Sequence, residues 1–381
     1  MQVFIITGVA VSSFFIFFIL AKKNRKRADY LLVLINLLMI GFLVIDILVR
    51  EEITVMRLFV QTVLPYFLFS AFLFYALESL QQKWKRWWIV FILPTFLTTI
   101  YVAADMFFLN QYNEEELHHL YNYPPLGYHI FFKGNQILFV IALLWLIKKV
   151  KRYAQEINDS FSFTEPIQLN WLIHFSWIYL IITIISLAIF IISNLNLLPI
   201  NIQVAFMIVS SCTVLAIFYI SFHGIRQYSI AEYYGKQASQ IITEAQEAEQ
   251  TDQQEKYRSS SLTPGEQEAI YLNLVKLFEE KQLYGEPKLQ LSDVSEALLI
   301  SSHSLSQTIN TMAGMPFYDF VNGYRVKHLR KLLEDPTQKR YTILALGLES
   351  GFNSKASLNR VFKEATGISP SEYQKRHLHK E

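Results

Sequence analysis

The sequence predicts an all-α protein in two parts: a seven-helix transmembrane domain over residues 1–223 and a tandem helix-turn-helix domain over residues 263–381, with 224–262 joining them. Two observations predict it. Of 381 residues, 52% are hydrophobic and the mean hydropathy is +0.26, with the apolar residues crowded into positions 1–223, too apolar for an ordinary soluble chain. Residues 291–373, in contrast, hold one amphipathic pattern written twice.

Seven apolar runs are each long enough to cross a hydrocarbon core of ~30 Å, which takes ~20 helical residues. They lie at about 3–20, 30–49, 58–78, 87–108, 128–147, 169–193 and 203–223. Lys22, Lys23, Arg25, Lys26 and Arg27 follow the first run, Lys83, Lys85 and Arg86 the third, and Lys148, Lys149, Lys151 and Arg152 the fifth. Loops rich in Lys and Arg stay in the cytoplasm, so an odd span count puts the N-terminus outside and the C-terminal part inside. A signal peptide over residues 1–20 is not expected, because the basic cluster follows the apolar run instead of preceding it.

Ionisable side chains inside the runs gather toward the outer ends: Asp46 in the second, Asp105 in the fourth, His129 and Lys133 in the fifth. Charges at such depth are costly unless paired or wet. Asp46, Asp105 and Lys133 therefore form the core of a candidate outward-facing ligand site. The competing reading is a structural Asp105–Lys133 salt bridge with the remaining groups snorkelling to the headgroups. The loop 109–127 carries Glu114, Glu115, Glu116, His118 and His119, which read as a hydrated acidic loop, since no second ligand cluster of defined spacing accompanies them. No metal and no cofactor is expected. Cys212 is the single cysteine and falls in the seventh run, where it reads as a core residue. With no phosphate-binding glycine loop, kinase signature or HExxH motif, an enzyme is not expected.

Residues 224–262 are rich in Gln, Glu, Ala and Ser and read as a solvated, partly helical tether. Their apolar seam is too thin to dictate a coiled coil, so pairing with a second copy into a homodimer stays open. Ser259–Pro264 is the breaker before the repeat domain.

In the first repeat Leu291, Val294 and Leu298 lead through Ile300-Ser301 into Leu305, Ile309 and Gly314. In the second, Ile343 and Leu346 lead through Gly351-Phe352-Asn353-Ser354 into Leu358, Phe362 and Gly367. The offset is about 52 residues before the turn and 53 after it, so the second turn is one residue longer. Two such units in tandem form a DNA reader. Between them Phe317, Phe320, Val321, Tyr324, Leu329, Leu332 and Leu333 fall at helical spacing and Asp335-Pro336 ends the run, which predicts a linking helix of about 17 residues, ~25 Å long. That spacing suits successive major grooves of a gently bent duplex.

Charge is divided unevenly between the units. Lys plus Arg against Asp plus Glu is 3 against 8 over residues 266–320 and 12 against 6 over 321–381, so the second unit and the linking helix read as the electrostatic anchor. The outward positions of the first unit are His303, Gln307 and Asn310, and Gln and Asn can bond adenine through two contacts. Those of the second are Ala356, Arg360 and Lys363, with Arg360 suited to guanine. Asn353, Ser354 and Lys355 sit at a helix start, where backbone N–H groups suit a phosphate. On pattern alone all of these also fit an ordinary solvated face.

The segments GFNSKASLNRVFKEATGISPSEY (351–373), MPFYDFVNGYRVKHLRKLLED (315–335) and LSDVSEALLISSHSLSQTINTMAG (291–314) closely resemble the AraC/XylS family of bacterial transcription regulators, over roughly the last third of the chain. The resemblance implies sequence-specific DNA binding and favours DNA contact by Arg360 and Lys355, while His303 and Asn310 keep both readings. Together these features lead to the expectation of a membrane-tethered one-component transcription regulator in the bacterial inner membrane, with DNA, membrane lipid and an unknown external or membrane-derived signal as partners. One alternative is a regulator whose spans only anchor it and which is controlled by a partner protein or by proteolysis. A third is a transporter with a fused regulatory domain, which inverted repeats would favour, though the two halves of the apolar region do not repeat.

Overall fold

Helices make up all regular elements among the described residues of this computed structural model, which are 2–48, 55–81, 93, 95–101, 104, 126–194, 202–235 and 262–378; the one extended pairing is an isolated antiparallel bridge between Phe161 and Gln290. The chain divides into two units. The first comprises Met1–Lys151 with Leu169–Gln227, the second Arg152–Gln168 with Tyr228–Glu381.

In the first unit the helices are α1 (Gln2–Ala21), α2 (Arg27–Leu48), α3 (Val55–Ser79), most of α4 (Leu126–Ser160), α5 (Asn170–Asn194) and α6 (Ile202–Arg226), and residues 95–101 are helical too. Helix α2 packs against α1, α3 and α6, and buries Leu32, Ile35 and Met39. Its Asn36 is buried as well and is satisfied by donating to Leu32 O (2.9 Å) and to Ser221 Oγ of α6 (2.9 Å). Where α6 passes α2 and α3, a Cβ on Gly224 would lie 2.6 Å from the Tyr75 hydroxyl and 2.8 Å from Leu32 Cδ2, so a larger residue would force these side chains to shift. At the start of α2, Asp29 accepts from Lys22 Nζ (2.6 Å) and Lys26 N (2.9 Å), a carboxylate placed where the helix N-terminus favours it.

The outside of this unit is apolar as well. Phe14, Phe17, Leu37, Ile141, Ile181, Ile184 and Leu215 are all exposed. Among the described residues two helices are long and apolar enough to cross a membrane, Arg27–Val44 and Asn170–Ile189, while Ile6–Ala21 and Val63–Ser79 are apolar but shorter. The fourth expected span, about 87–108, is described only at 93, 95–101 and 104, and the loop 109–127 falls outside the described residues up to Pro125. Asp105 lies outside them as well, and of Asp46 on α2 and Lys133 on α4 only the backbone is described. Helix α4 runs on to Ser160, well past the expected end of the fifth span at 147.

The second unit holds the last turns of α4, the segment 161–168, α7 (Ile230–Tyr233), α8 (Pro264–Lys281), α9 (Leu291–Ala297), α10 (Ser302–Met312), α11 (Phe317–Glu334), α12 (Ile343–Glu349), α13 (Lys355–Thr366) and α14 (Pro370–Leu378), with single 3-10 turns at Leu283–Gly285 and Pro336–Arg340. Of the expected tether, residues 228–235 belong to this unit and 236–261 lie outside the described residues. Helix α8 has no counterpart in the expectation from sequence, although its start is written plainly. Thr263 and Glu266 form a reciprocal capping box and Pro264 occupies the first turn.

The repeat is realised as two helix pairs, α9–α10 and α12–α13, whose second helices start 53 residues apart, at Ser302 and Lys355. Ser301, Thr342 and Ser354 cap α10, α12 and α13 by accepting from Ser304 N, Ala345 N and Ser357 N, each at 3.1 Å. Both turns need a left-handed residue. The first uses Leu299 (φ 57°), a strained choice for a branched-chain residue, and the second uses Gly351 (φ 92°), where a Cβ would also meet Tyr284 O at 2.2 Å. The second pair is packed more closely: a Cβ on Gly347 would fall 1.6 Å from Leu358 Cδ1, whereas the first repeat has Ser295 at that position, bonded to Ser302 (2.9 Å).

Linking helix α11, 18 residues and about 27 Å long, serves both cores. Phe317, Phe320 and Val321 join Leu274, Phe278, Val294, Leu305 and Ile309 in one; Tyr318, Val326, Leu329 and Leu333 join Leu346, Phe352, Leu358 and Phe362 in the other. Where α11 passes from the first core to the second it buries Arg325, 1% exposed. All five guanidinium N–H groups are satisfied: Nε donates to Tyr284 O (2.8 Å), Nη1 to Ser162 O (3.1 Å) and Asn322 Oδ1 (3.2 Å), and Nη2 to Ser162 Oγ (3.0 Å) and Glu286 O (2.8 Å). Burial lowers its pKa to about 10, still above neutrality, so the group stays charged among carbonyl and hydroxyl dipoles. The sequence count placed Arg325 in the electrostatic anchor; its burial removes it from any DNA-facing surface.

Arg325→Met keeps most of the volume but leaves three carbonyls without this donor. Since the five bonds act as one cluster their costs do not add, and a loss of about 3–5 kcal/mol is expected, read as a lower urea midpoint for the second unit. Arg325→Lys, with three donors in place of five, should recover only part of it. An unchanged midpoint in Arg325→Met would show that the cluster is dispensable.

Candidate nucleic-acid interface

On α10 the buried side chains Leu305, Thr308 and Ile309 fix which face looks outward. His303 and Asn310 are exposed on that face and Gln307 is half-buried, four and three residues apart as one helical stripe requires. On α13 the buried set is Ser357, Leu358, Val361 and Phe362, leaving Lys355, Arg360 and Lys363 exposed. The first-copy stripe and its second-copy equivalents are thus both presented by a helix anchored through its opposite face.

Two of the expected phosphate contacts at the start of α13 have structural work. Ser354 Oγ is the cap of the helix, and the Asn353 carboxamide donates to Pro287 O (2.5 Å), tying the second turn to the loop before α9. Lys355 is exposed at the first position of the helix, where a cation faces unpaired N–H groups and an anion would relieve both.

Arg360 is held rather than loose. Its Nε and Nη2 donate to Glu165 Oε1 (3.2 and 2.9 Å), Nη2 also donates to the Tyr318 hydroxyl (2.6 Å), and Nη1 lies 3.6 Å from Glu364 Oε2. Burial alone would lower its pKa, but the Tyr318 and Glu165 bonds outweigh that and raise it further. Tyr318 is itself pushed up by burial, a shift that its bond to Arg360 reduces. Asn310 donates weakly to Ser306 Oγ (3.4 Å) and lies beside Asp159, whose carboxyl is raised by burial, a shift that the neighbouring Asn310 side chain reduces.

Asp159, Glu165 and Tyr318 are absent from the sequence-derived site. The two acids stand in the stretch after the fifth expected span, 195 residues from Arg360 in the case of Glu165. A signal for them does exist. The stretch between about 147 and 169 alternates Phe161-Ser162-Phe163, a pattern that asks for a surface on which to bury two aromatics. Phe161 and Phe163 are indeed buried, at 2% and 6% exposure.

Residues 294–376 match the family described as Helix-turn-helix domain. Similar proteins include HTH-type transcriptional regulators of Staphylococcus aureus strains COL and N315, each 33% identical over 93 residues, which is 24% of this chain and 12% of the relative. The match thus spans about one eighth of the length of these relatives. A solved structure of a protein of unknown function from Listeria innocua is 27% identical and covers 28% of this chain and 96% of its own, with a TM-score of 0.25. The C-terminal part of the chain is accordingly similar to a helix-turn-helix domain over residues 294–376.

Proposed function

We propose that this protein is a membrane-tethered, one-component transcription regulator that binds a bipartite DNA site. The observation that carries the DNA half of this reading is the pair of anchored helices, α10 and α13, each presenting polar side chains outward, on a domain matched to a helix-turn-helix family. With α11 about 27 Å long, the two can enter adjacent major grooves, which repeat every ~34 Å, once the duplex bends slightly. Arg360 suits a guanine, Gln307 and Asn310 suit adenine, His303 completes the first stripe, and Lys355 and Lys363 suit phosphate.

The membrane half rests on the apolar exterior of the first unit, which a water-soluble domain would not carry on this scale, and on the basic loops that follow alternate spans. Seven spans place the reader in the cytoplasm, where its DNA is. Asp46, Asp105 and Lys133, all toward the outer ends of their spans, are the proposed signal site, and the signal acts by binding two conformations of the spans unequally.

A fragment of residues 262–381 should select a bipartite duplex from a random pool. On that duplex Arg360→Ala should cost about 1–3 kcal/mol and relax base choice at one position, whereas Lys363→Ala should weaken all duplexes alike and lower the salt dependence. Binding by the double variant at full strength would exclude this face as the reader.

Topology gives an independent check: a tag inserted within 109–127 should be reached by membrane-impermeant label in intact cells, and a reporter fused after residue 226 should be active only in the cytoplasm. A tag shielded from the label would refute the odd span count.

For the signal site, Asp105→Asn with Lys133→Gln should leave abundance and operator binding intact yet hold target transcription at one level across media. If the two form only a structural pair, each single change should destabilise the protein by stranding a charge and the double should restore it. Normal responsiveness of the double variant would reject the signal site.

A further inference from the structure

The segment between the fifth and sixth expected spans belongs to the same unit as the DNA-binding domain and is firmly docked on it. Ser162 N donates to Leu289 O (3.1 Å), Phe161 bridges to Gln290, and Asn322 Nδ2 and Arg325 Nη1 both donate to Ser162 O (3.4 and 3.1 Å). From the other side Tyr234 donates to Phe163 O (2.5 Å) and stacks near Phe161 at 4.3 Å between ring centroids, and Tyr228 N donates to Pro166 O (3.4 Å). Ile157, Phe161 and Ile167 are buried.

What this docking places on the two reading helices is specific. Glu165 bonds to Arg360 on α13, a side chain suited to a base edge, and Asp159 stands near Asn310 on α10. The Nε–Nη2 edge of Arg360, which Glu165 takes, is one that a guanine would take through O6 and N7. Glu165 Oε1 alone takes both of the donors that the base would use, while adding a charge that repels phosphate.

We propose that residues 152–168 are an autoinhibitory strap: Glu165 occupies the reading position of α13, with Asp159 near that of α10, and DNA binds only when the strap is displaced. Helix α4 is continuous from Leu126 to Ser160, so the strap follows directly along the chain from the fifth expected span. This use of the strap rests on the function proposed above. The acids set what is blocked, and the buried Phe161, Ser162 and Phe163 set how firmly. An exposed ion pair is worth too little to hold a domain shut by itself.

The test uses the full chain in lipid nanodiscs and a duplex selected from a random pool by that same protein. Asp159→Asn with Glu165→Gln should tighten binding of that duplex about 3- to 30-fold, the range two surface contacts of this kind allow. Glu268→Gln with Glu279→Gln removes the same charge from exposed positions of α8 and should change binding much less. In the unaltered chain, saturating duplex should speed hydrogen exchange of the Ser162 amide at least tenfold, because displacement breaks its bond to Leu289. Unchanged or weaker binding by the strap variant, equal tightening by the α8 variant, or an unmoved Ser162 amide would each overturn the proposal. Failure of every protein to retain any duplex would instead overturn the DNA-reader reading on which it stands.

Discussion

A single guanidinium, that of Arg325, ties together the parts of the second unit that sequence distance would keep apart. Its five donors reach the linking helix through Asn322, the turn before α9 through Tyr284 and Glu286, and the strap through Ser162. Such a cation is costly to bury, and the cost is met by the acceptors around it. The arrangement therefore couples its parts: the turn at 284–286 fixes where α9 starts, α11 fixes the second core, and both share an anchor with a segment more than 100 residues upstream. Gly351 belongs to the same node, since its missing Cβ is what lets the second turn lie against Tyr284 O and the Arg325 Nε. A side chain there would press on the very carbonyl that Arg325 needs.

The two helix pairs, alike in pattern, differ in how they meet this constraint. The second has glycine at both critical points, Gly347 where the helices touch and Gly351 in the turn, and so packs tightly beside Arg325. The first has Ser295 and Leu299 instead, accepting a hydroxyl pair in place of close contact and a left-handed leucine that is 91% exposed. The first pair is also acidic by composition while the second is basic. Positive charge is thus concentrated on the unit whose Arg360 is held by Glu165, so on the proposed function α13 is the place where a block has most effect.

What was legible in the sequence is what depends on neighbours along the chain. The 52- and 53-residue offsets, the glycine turn and the linking helix all follow from spacing, and each appears within a residue or two of its expected place. Even α8 was within reach, through Thr263-Pro264 and Glu266, had a helix been sought before Leu291. Illegible were the facts set by chain segments meeting across the fold. A charge count treats Arg325 and Arg360 alike, though one is 1% exposed and the other lies at the surface. Nor does helical spacing reveal that Asn353 is spent on Pro287, or that Glu165 faces Arg360 from 195 residues away. In the first unit the apolar runs are legible as composition, but which face is exposed and which is buried depends on packing such as that of Asn36 on Ser221.

The energetics of the strap divide along the same line. Contacts that touch the reading positions are surface bonds, half-exposed and individually weak, while those that hold the strap are buried and shared with Arg325. Displacing the strap removes two of the five Arg325 acceptors, both from Ser162, and leaves the other three inside the reader. Water reaching the opened site can replace the lost pair, so the node survives in the open state at a cost, whereas loss of Tyr284 or Glu286 would dismantle the turn itself. A device of this kind keeps its closed state through burial and its specificity through the acids. Changes to Asp159 or Glu165 alter what competes with DNA, and changes to Phe161 or Ser162 alter how much force the spans must supply to open it.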